Sequence, residues 1–509
     1  MEEPAGYRRF PDDFIFGAAT ASYQIEGATG EDGRGESIWD EFCRRPGRVA
    51  GGDNGDIACD HYHRYREDIA IMSELGVEAY RFSIAWPRIV PDGEGAVNGA
   101  GLDFYSRLVD SLLARGIRPF VTLFHWDLPL ALQRRYGGFA DRRCIDAYVR
   151  YVETVVSALG DRVRDWVTFN EPWVYSVLGH LLGIHAPGVR NPWKAFRVAH
   201  HQLVAHGRAV TRIREISPDA RVGITLNLTP VHPVERRSGS GKGAGAGMSP
   251  GAGATARDRA AAEMADQSLN RFYLDAVFTG TYPERFRRRL GILRPPVMPG
   301  DMETIAVPID FLGVNNYTRH RARFSWKNPP FFFDMDGAAV PEREFVGPKG
   351  EQYTAMGWEV YPQGLREILI RLKEEYNNPP VYITENGAAF TDELEPEPAQ
   401  AARSTSRVVR DPLRIAYLEQ YTAAVHQALQ EGCDVRGYFV WSLLDNFEWA
   451  HGYSRRFGIV HVDYRTQERT VKESGRWYAA LMAARKHQRE HQPEHEPQRE
   501  SAKSGRLGS

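Results

Sequence analysis

Two glutamates in the 509-residue chain stand where acid–base or nucleophilic chemistry is expected. Glu385 ends the β-branched and aromatic run of VYITENG, just before an Asn-Gly turn, and Glu171 follows the apolar run VRDWVTFN. Such runs predict buried strands that end in an acid. Two facing carboxyl groups cleave a glycosidic bond with retention at about 5–5.5 Å and with inversion at about 6.5–9.5 Å. The sequence leaves that separation open.

Side chains that bind polyols follow several other predicted strands. Indole faces stack on the C–H face of a pyranose, and amides, imidazoles and carboxylates form hydrogen bonds with its hydroxyls. Groups of these kinds recur at the strand ends: Gln24, His125, Trp126, Asn170, Asn315, Tyr317, Trp441, Glu448 and Trp449. The recurrence predicts a sugar-binding cavity around the two glutamates.

The segments that must position these residues alternate between short apolar strands and amphipathic helices. Strands are predicted at 14–20, 79–84, 118–124, 163–169, 222–226, 309–314, 381–385 and 435–441. Helices are predicted at 61–75, 102–114, 141–159, 193–215, 261–279, 362–376 and 413–431. The alternation predicts an α/β fold, a single (β/α)8 TIM barrel with a parallel eight-stranded core and its chemistry at the C-terminal strand ends. An open doubly wound sheet is the alternative, but GxGxxG is absent after the first strand.

Two segments fall outside this pattern. Residues 236–257 form a low-complexity Gly/Ala/Ser stretch, which we interpret as a flexible insertion. Residues 486–509 are polar and contain proline, and they predict a disordered C-terminal tail. The catalytic barrel is therefore predicted to span residues 10–485.

Composition excludes several function classes. Lys and Arg total 64 against 66 Asp and Glu, a net charge of -2, so no global field attracts nucleic acid or an anionic membrane. The four cysteines form no CxxC pair, and the N-terminus lacks the apolar stretch of a signal peptide, which predicts a cytoplasmic protein. The sequence is also compatible with a homo-oligomer. His61 and His63 open a predicted helix and do not share one face of it, so we expect no metal, and we expect no cofactor.

Six motifs in this order carry a family resemblance: FIFGAATASYQIEG near the start, YRFSIAWPRI at 80–89, HWDLP at 125–129, TFNEP at 168–172, YITENG at 382–387 and WSLLDNFEW at 441–449. Together they resemble glycoside hydrolase family 1, the β-glucosidase family. The resemblance runs from about residue 10 to residue 478, nearly the whole chain.

The resemblance implies a retaining enzyme with Glu385 as nucleophile and Glu171 as acid/base. Residues that match the family's sugar-binding and aglycone-binding positions are Gln24, His125, Asn170, Asn315, Tyr317, Trp358, Trp441, Glu448 and Trp449. Trp126, beside His125, and Phe457, near Glu448, are expected to bind substrate as well. Trp173 and Leu178 are expected at the aglycone entrance. Arg81 and Tyr317 are expected to donate hydrogen bonds to Glu385 and keep it ionised, and its charge is expected to raise the pKa of Glu171.

The function implied is hydrolysis of terminal nonreducing β-D-glucosyl residues, in cello-oligosaccharides and in aryl or alkyl β-glucosides, through a covalent glycosyl-enzyme. β-Galactosides and β-fucosides are expected as further substrates. Alternatives are a 6-phospho-β-glycosidase, which would lack the equivalent of Glu448, and a myrosinase-like thioglucosidase, which would carry Gln at Glu171. A third is a noncatalytic sugar-binding module on the same fold, which would have lost one of the two glutamates.

Overall fold

The predicted strands form one closed parallel barrel in the computed structural model, which describes residues 8–235, 253–335, 343–347, 350–392, 394–396 and 407–490. The barrel strands are β1 (Ile15–Ala19), β2 (Ala79–Ser83), β3 (Arg118–Thr122), β4 (Asp165–Asn170), β5 (Arg221–Asn227), β6 (Phe311–Asn315), β7 (Val381–Asn386) and β8 (Val435–Trp441). Each strand pairs with its neighbours in sequence, and β8 closes the barrel against β1. The predicted fold class is confirmed.

Four aromatic side chains, here called the aromatic plug, pack together inside the barrel. Phe120, Phe311, Tyr382 and Phe439 meet with ring centroids 5.1–5.3 Å apart around Phe120 and between Phe311 and Tyr382. Gly17 leaves room for it, because a Cβ at this position would lie 2.5 Å from the Phe439 ring. The plug leaves only the C-terminal end of the barrel for a cavity.

The helices that cover the barrel are α1 (His61–Glu74), α2 (Gly99–Leu113), α3 (Arg143–Leu159), α4 (Pro192–Ile216), α5 (Phe272–Thr279), α6 (Pro362–Glu375), α7 (Pro412–Gln430) and α8 (Glu473–Glu490). Three of them begin at a proline, whose fixed φ suits the first helical turn. No helix in the described ranges is both long enough and apolar enough to cross a membrane.

The helix predicted at 261–279 is divided. An α-helix at Ala256–Asp266 is followed by a π-helical turn at Gln267–Arg271 and then by α5. In that turn Asn270 accepts from the backbone N–H of Thr229 at 3.1 Å and donates to its carbonyl at 2.8 Å. The turn therefore fixes the loop after β5, and π-helical turns of this kind often mark functional sites.

The loops also contain short strands and helices. The sequence pattern does not predict these elements. The strands are Val231–Pro233, His320–Phe324, Phe333–Met335, Phe345–Val346, Gln352–Tyr353, Leu394–Pro396, Arg407–Val409, Val460–Val462 and Arg469–Val471. The further helices and turns are Ser22–Ile25, Ile38–Cys43, Ala50–Gly52, Trp86–Ile89, Leu130–Tyr136, Gly138–Ala140, Val174–Leu181, Glu284–Leu290, Gly291–Leu293, Asp301–Ile305 and Trp449–His451.

The two segments set apart in the sequence lie largely outside the described residues. Of the predicted insertion, 236–252 is not described, and the helix that begins at Ala256 starts within its last residues. Of the predicted tail, 491–509 is not described, and α8 extends to Glu490.

Candidate active site

Glu385 lies near the end of β7, and each of its carboxylate oxygens accepts a hydrogen bond. Arg81 on β2 donates to Oε1 at 2.5 Å, and Tyr317 donates to Oε2 at 2.6 Å. The guanidinium of Arg81 is fully buried and is held by Thr122 at 3.1 Å and by the carbonyl of Thr384 at 3.2 Å. Both expected donors therefore contact Glu385, and one of them carries a positive charge.

Glu171 lies directly after β4 in an unusual backbone conformation. Its φ is 47°, in the left-handed region that a residue with a Cβ seldom adopts. Its N–H donates to the carbonyl of Thr225 at 2.9 Å, and the amide of Asn315 donates to its Oε1 at 2.6 Å. Strained residues of this kind cluster at active sites, where neighbouring structure holds them in place.

One hydrogen-bonded chain joins the two glutamates. Arg81 donates to Oδ1 of Asn170 at 2.6 Å, and Nδ2 of Asn315 lies 3.1 Å from the same oxygen. Thr384 donates to Oδ1 of Asn315 at 2.7 Å, so the Asn315 amide must present its N–H groups to Asn170 and Glu171. The chain fixes the orientation of every side chain between the two carboxyl groups.

The two carboxyl groups differ in their electrostatic surroundings. Burial raises the pKa of Glu171 to about 8, the charge of Glu385 adds to the rise, and the Asn315 hydrogen bond opposes it. Burial also raises the pKa of Glu385, but Arg81 and Tyr317 oppose that rise. Glu385 is therefore the member of the pair that ionises first. The charge of Glu385, the cause expected from the sequence, contributes to the raised pKa of Glu171, but burial is the larger cause.

Glu448, after β8, is a third acid in the same cavity. Burial and the charge of Glu385 raise its pKa to about 8, and a hydrogen bond from Gln24 opposes the rise. Nε2 of Gln24 lies 3.4 Å from Oε2 of Glu448, and it also donates to the side chain of Asn446 at 3.0 Å and to the carbonyl of Phe447 at 2.8 Å. Gln24 thus ties the Glu448 loop to the loop after β1.

The glutamates open into a cavity of about 330 Å³ at the C-terminal end of the barrel. Its wall contains most of the predicted residues: Glu171, Glu385, His125, Trp126, Asn315, Tyr317, Trp358, Trp441, Glu448, Trp449 and Phe457. Trp173 and Leu178 also line it. Arg81, Gln24 and Asn170 are fully buried and form hydrogen bonds with residues of the wall.

Aromatic rings form two walls of the cavity. On one side the Trp126 and Trp449 ring centroids are 4.6 Å apart, and His125 lies within 21° of parallel to Trp441 and Trp449. On the other side Tyr317 lies 5.2 Å from Trp358, and Phe457 lies 6.1 Å from each of them. The space between the walls has the flat apolar faces and polar edges that a pyranose ring requires.

His125 presents an N–H for hydrogen bonding. Its Nε2 accepts from the amide of Asn170 at 3.0 Å, which assigns the ring proton to Nδ1. Burial and the nearby Arg81 hold the pKa of His125 well below its usual range, so the imidazole is neutral. Nδ1 is buried and has no partner in the described part of the chain, so this N–H is available for a bound hydroxyl.

The cavity also has polar wall residues that were not predicted from the sequence. Arg319 forms a two-point ion pair with Glu359 at 2.7 and 3.0 Å, and its guanidinium lies 3.7 Å from the ring centroid of Tyr361. Asn227 and Thr229, from the end of β5 and the loop after it, line the cavity too. A signal existed for these two, because they follow a predicted strand end to which no polar residue was assigned.

The two histidines of the HxH sequence at 61–63 are paired with acids. His61 lies 2.7 Å from Asp68, and His63 lies 2.6 Å from Asp60 and 3.1 Å from Glu31. Within the ranges that the structure describes, no group of three or more His, Cys, Asp or Glu side chains is arranged to hold a metal ion.

A barrel whose strand ends bring two unequal acids into an aromatic cavity defines a glycoside hydrolase site. The family model of glycosyl hydrolase family 1 matches residues 6–487, and the chain belongs to this family. It is therefore a glycoside hydrolase.

Several relatives share most of the chain. Beta-glucosidase A of Thermotoga maritima is 46% identical over 472 residues, which cover 93% of this chain and 97% of that protein. The 1,4-beta-D-glucan glucohydrolase of Thermotoga neapolitana is 44% identical, with 93% and 98% covered. A solved structure, the beta-glucosidase from Thermotoga maritima in complex with galacto-hydroximolactam, matches with a TM-score of 0.82 at 44% identity, covering 94% of this chain and 99% of that one.

Proposed function

We propose that the protein is a retaining β-glucosidase that removes terminal nonreducing β-D-glucosyl residues from cello-oligosaccharides and from aryl or alkyl β-glucosides. The observation that carries the proposal is the unequal hydrogen bonding of the two glutamates: Glu385 accepts from a cation and a phenol, and Glu171 from a neutral amide. The names of the relatives, beta-glucosidase and 1,4-beta-D-glucan glucohydrolase, support the substrate class.

In the first step Glu385 acts as the nucleophile. Its ionised carboxylate attacks the anomeric carbon, and the bond from that carbon to the leaving oxygen breaks. Glu171, protonated because its pKa is raised to about 8, gives its proton to the leaving oxygen. The products of this step are a glycosyl ester on Glu385 and the free aglycone alcohol.

In the second step water releases the sugar. The ester has no negative charge, so one cause of the raised pKa of Glu171 is gone, and its carboxylate can accept a proton from water. The water oxygen attacks the anomeric carbon, and the carboxylate of Glu385 leaves. Two successive inversions return the sugar in its original β configuration.

The sugar lies between the aromatic walls in this proposal. Trp441 and Trp449 stack on its ring, while His125 Nδ1–H, Gln24, Asn170 and Glu448 bind hydroxyls. Phe457 lies near the C6 hydroxymethyl group, and Trp126 buttresses Trp449. The aglycone extends toward Trp358, Trp173 and Leu178, which line the outer part of the cavity.

β-Galactosides and β-fucosides are proposed as further substrates. Gln24 and Glu448 combine an amide with a carboxyl group, and such a pair can bind either an axial or an equatorial 4-hydroxyl. The galacto-hydroximolactam complex of the Thermotoga maritima relative supports this breadth.

The stereochemistry of the first-formed product tests the mechanism. The anomeric proton of glucose released from an aryl β-glucoside is followed by NMR within the first minutes of reaction. A retaining enzyme gives β-glucose first. Initial α-glucose would mean an inverting separation of the carboxyl groups and would overturn the nucleophilic role of Glu385.

Azide rescue tests the division of roles. Glu171→Ala should lose activity, and added azide should restore turnover of an activated aryl glucoside by attacking the ester on Glu385, giving β-glucosyl azide. Glu385→Ala with azide should give α-glucosyl azide instead. The opposite assignment of the two azide products would exchange the roles of the glutamates.

We also propose a cytoplasmic location. The four cysteines are buried and unpaired, as is usual in a reducing compartment. Cell fractionation tests the location, and light scattering on the purified protein tests whether it forms a homo-oligomer.

A further inference from the structure

A group of charged side chains, five of them buried and one partly exposed, connects the loops that follow β7 and β8. Its members, here called the loop-joining cluster, are three aspartates and three cations: Asp392, Asp411, Asp445, Arg414, Arg456 and Lys472. None of the six is among the residues that line the cavity. Any influence of the cluster on the reaction must therefore pass through other residues.

Lys472 is the direct joint between the two loops. Its ammonium contacts Oδ2 of Asp392, in the loop after β7, and lies 2.7 Å from Oδ1 of Asp445, in the loop after β8. All three side chains are 0% exposed. Asp392 follows Glu385 by seven positions, and Asp445 precedes Glu448 by three.

Asp445 fixes the Glu448 loop at both of its ends. Its Oδ1 accepts from the backbone N–H of Gly458 at 2.9 Å, and its Oδ2 accepts from Arg456 at 2.7 Å. Gly458 follows Phe457, which lines the cavity. The loop from Asp445 to Gly458, which carries Glu448 and Phe457, is thus closed by one carboxylate.

Arg414 on α7 holds the Glu385 loop in the same way. It donates to Asp392 at 2.9 and 3.0 Å and to the carbonyl of Ala388, three residues after Glu385, at 3.2 Å. It also donates to the carbonyl of Arg456 at 2.8 Å. Both loops are therefore attached to one charge-balanced group.

We propose that Lys472 is a positioning residue that sets the place of Glu448 relative to Glu385 by joining their two loops. The proposal rests on the proposed function, in which Glu448 binds hydroxyls of the nonreducing sugar. Without the ammonium, Asp392 and Asp445 become two buried carboxylates that repel each other. The Glu448 loop then moves, while Glu385 stays in place because Arg81 and Tyr317 hold it from inside the barrel.

The test compares two aryl substrates, a β-glucoside and its 6-deoxy analogue, on wild type and Lys472→Met. Methionine is close to lysine in length and removes the charge. The kcat/KM for the β-glucoside should fall roughly 10²-fold, as expected when a binding group moves by about 1 Å. The 6-deoxy analogue lacks one of the hydroxyls near Glu448 and should lose far less. Glu448→Gln supplies the reference, because it should change the ratio of the two kcat/KM values in the same direction.

A matched control breaks a buried ion pair at the opposite end of the barrel. Arg118 donates to the buried Asp165 at 2.6 and 2.8 Å, and both are the first residues of their strands. Arg118→Met should lower the melting temperature and leave the ratio of the two kcat/KM values unchanged. Equal losses on both substrates in Lys472→Met would show a purely structural role and overturn the proposal.

A second variant keeps the test informative if Lys472→Met does not fold. Lys472→Met with Asp392→Asn removes one charge of each sign, so it cuts the joint while keeping the cluster balanced. It should fold better than Lys472→Met and still change the substrate ratio; an unchanged ratio, or failure of both variants to fold, overturns the proposal. Failure of the wild type to hydrolyse the β-glucoside would instead refute the proposed function, before any variant is made.

Discussion

The catalytic cavity and the loop-joining cluster are both built from buried acids, but they differ in charge balance. In the cavity Glu171 and Glu448 receive hydrogen bonds from neutral amides, and burial raises the pKa of each to about 8. In the cluster burial also opposes the ionisation of Asp445, yet Lys472, Arg456 and Arg414 hold its pKa below the usual range. Neighbouring groups of comparable burial therefore have opposite ionisation states at neutral pH.

This difference in charge balance matches the different roles of the two sites. The cavity carries out the reaction, and the cluster holds the loops of the cavity in position. An acid that must give and take a proton near neutral pH requires a raised pKa, which an unbalanced site provides. An acid that must anchor loops requires a permanent charge, which paired cations provide. The cavity should therefore tolerate loss of Glu171 or Glu448 in stability but not in activity, and the cluster should show the reverse in its main effect.

The largest expected effect is on activity, in the cavity. Glu385→Gln removes the nucleophile while preserving its shape, and kcat for an aryl β-glucoside should fall by about 10⁴-fold or more. The melting temperature should also decrease, because the fully buried Arg81 loses the carboxylate with which it forms an ion pair. Steady-state kinetics and thermal unfolding measure the two quantities. Wild-type turnover in the variant would contradict the assignment of the nucleophile.

The next largest effect is on stability, in the cluster. Asp445→Asn leaves Lys472 and Arg456 with one buried partner fewer, and loss of one partner of a buried ion pair costs about 3–5 kcal/mol. Asp445 has a lowered pKa when folded, so its contribution is present at neutral pH and is lost as pH falls through the acidic range. Denaturant unfolding at pH 7 and at a pH well below 3.8, the ordinary pKa of an aspartate, measures this, and the deficit of the variant should shrink at the lower pH.

Removing the cation beside the nucleophile should change the pH dependence of kcat/KM. Arg81→Met removes the charge that opposes the burial-raised pKa of Glu385, so the acidic limb of kcat/KM should move to higher pH. At the optimum, kcat/KM should fall about 10²–10³-fold, as for other buried electrostatic contacts with reacting groups. Tyr317→Phe, which removes a neutral donor from the same carboxylate, is the matched variant and should shift the limb less. An unmoved limb in Arg81→Met would contradict this role.

The wild-type enzyme should lose activity in alkali as Glu171 loses its proton. Because its pKa is raised to about 8, kcat/KM should decline above about pH 8 with the loss of a single proton. Glu448 titrates in the same range, so Glu448→Gln is compared to separate the two. A limb that survives in Glu448→Gln belongs to Glu171; its disappearance would assign it to Glu448.

The smallest expected effect is a gain in stability. Glu448 has a folded pKa of about 8, above its ordinary value of 4.5. Between these two pH values its carboxyl group is ionised in the unfolded protein and protonated in the folded protein, so the stability of the fold decreases as pH rises. Folding at pH 7 therefore requires proton uptake that Glu448→Gln avoids. The variant should melt slightly higher than wild type at pH 7, with a smaller difference at pH 5. A lower melting temperature at pH 7 would contradict the unbalanced character of the cavity.

The sequence predicted the barrel because its strands are short apolar runs between helices with clear stop signals, and all eight strands lie where they were predicted to within a few residues. The site followed because polar residues at C-terminal strand ends converge in this fold. The Arg319–Glu359 pair could not be predicted this way, since the two residues come from separate positions in one long irregular connection. Their contact depends on how the loop packs, and hydrophobic periodicity in the sequence does not predict loop packing.

The charge balance around the buried acids could not be predicted from the sequence either. Asp445 and Glu448 stand three residues apart in one motif, yet Asp445 accepts a hydrogen bond from a guanidinium and Glu448 accepts one from a neutral amide. The partners of Asp445 include Lys472, far along the chain in a segment without any motif. The raised pKa of Glu171 was predicted in direction and in its second cause, the charge of Glu385, but not in its largest cause, because the sequence does not show how deeply the carboxyl group is buried.

The aromatic plug of Phe120, Phe311, Tyr382 and Phe439 determines the order of events during turnover. A barrel closed at one end is a blind pocket, in which the glycosyl unit lies innermost and the aglycone lies toward the mouth. The aglycone must depart before water can reach the ester, and glucose must leave last by the same opening. Free glucose should therefore compete directly with the substrate, whereas a released alcohol at high concentration should intercept the ester and yield a new β-glucoside.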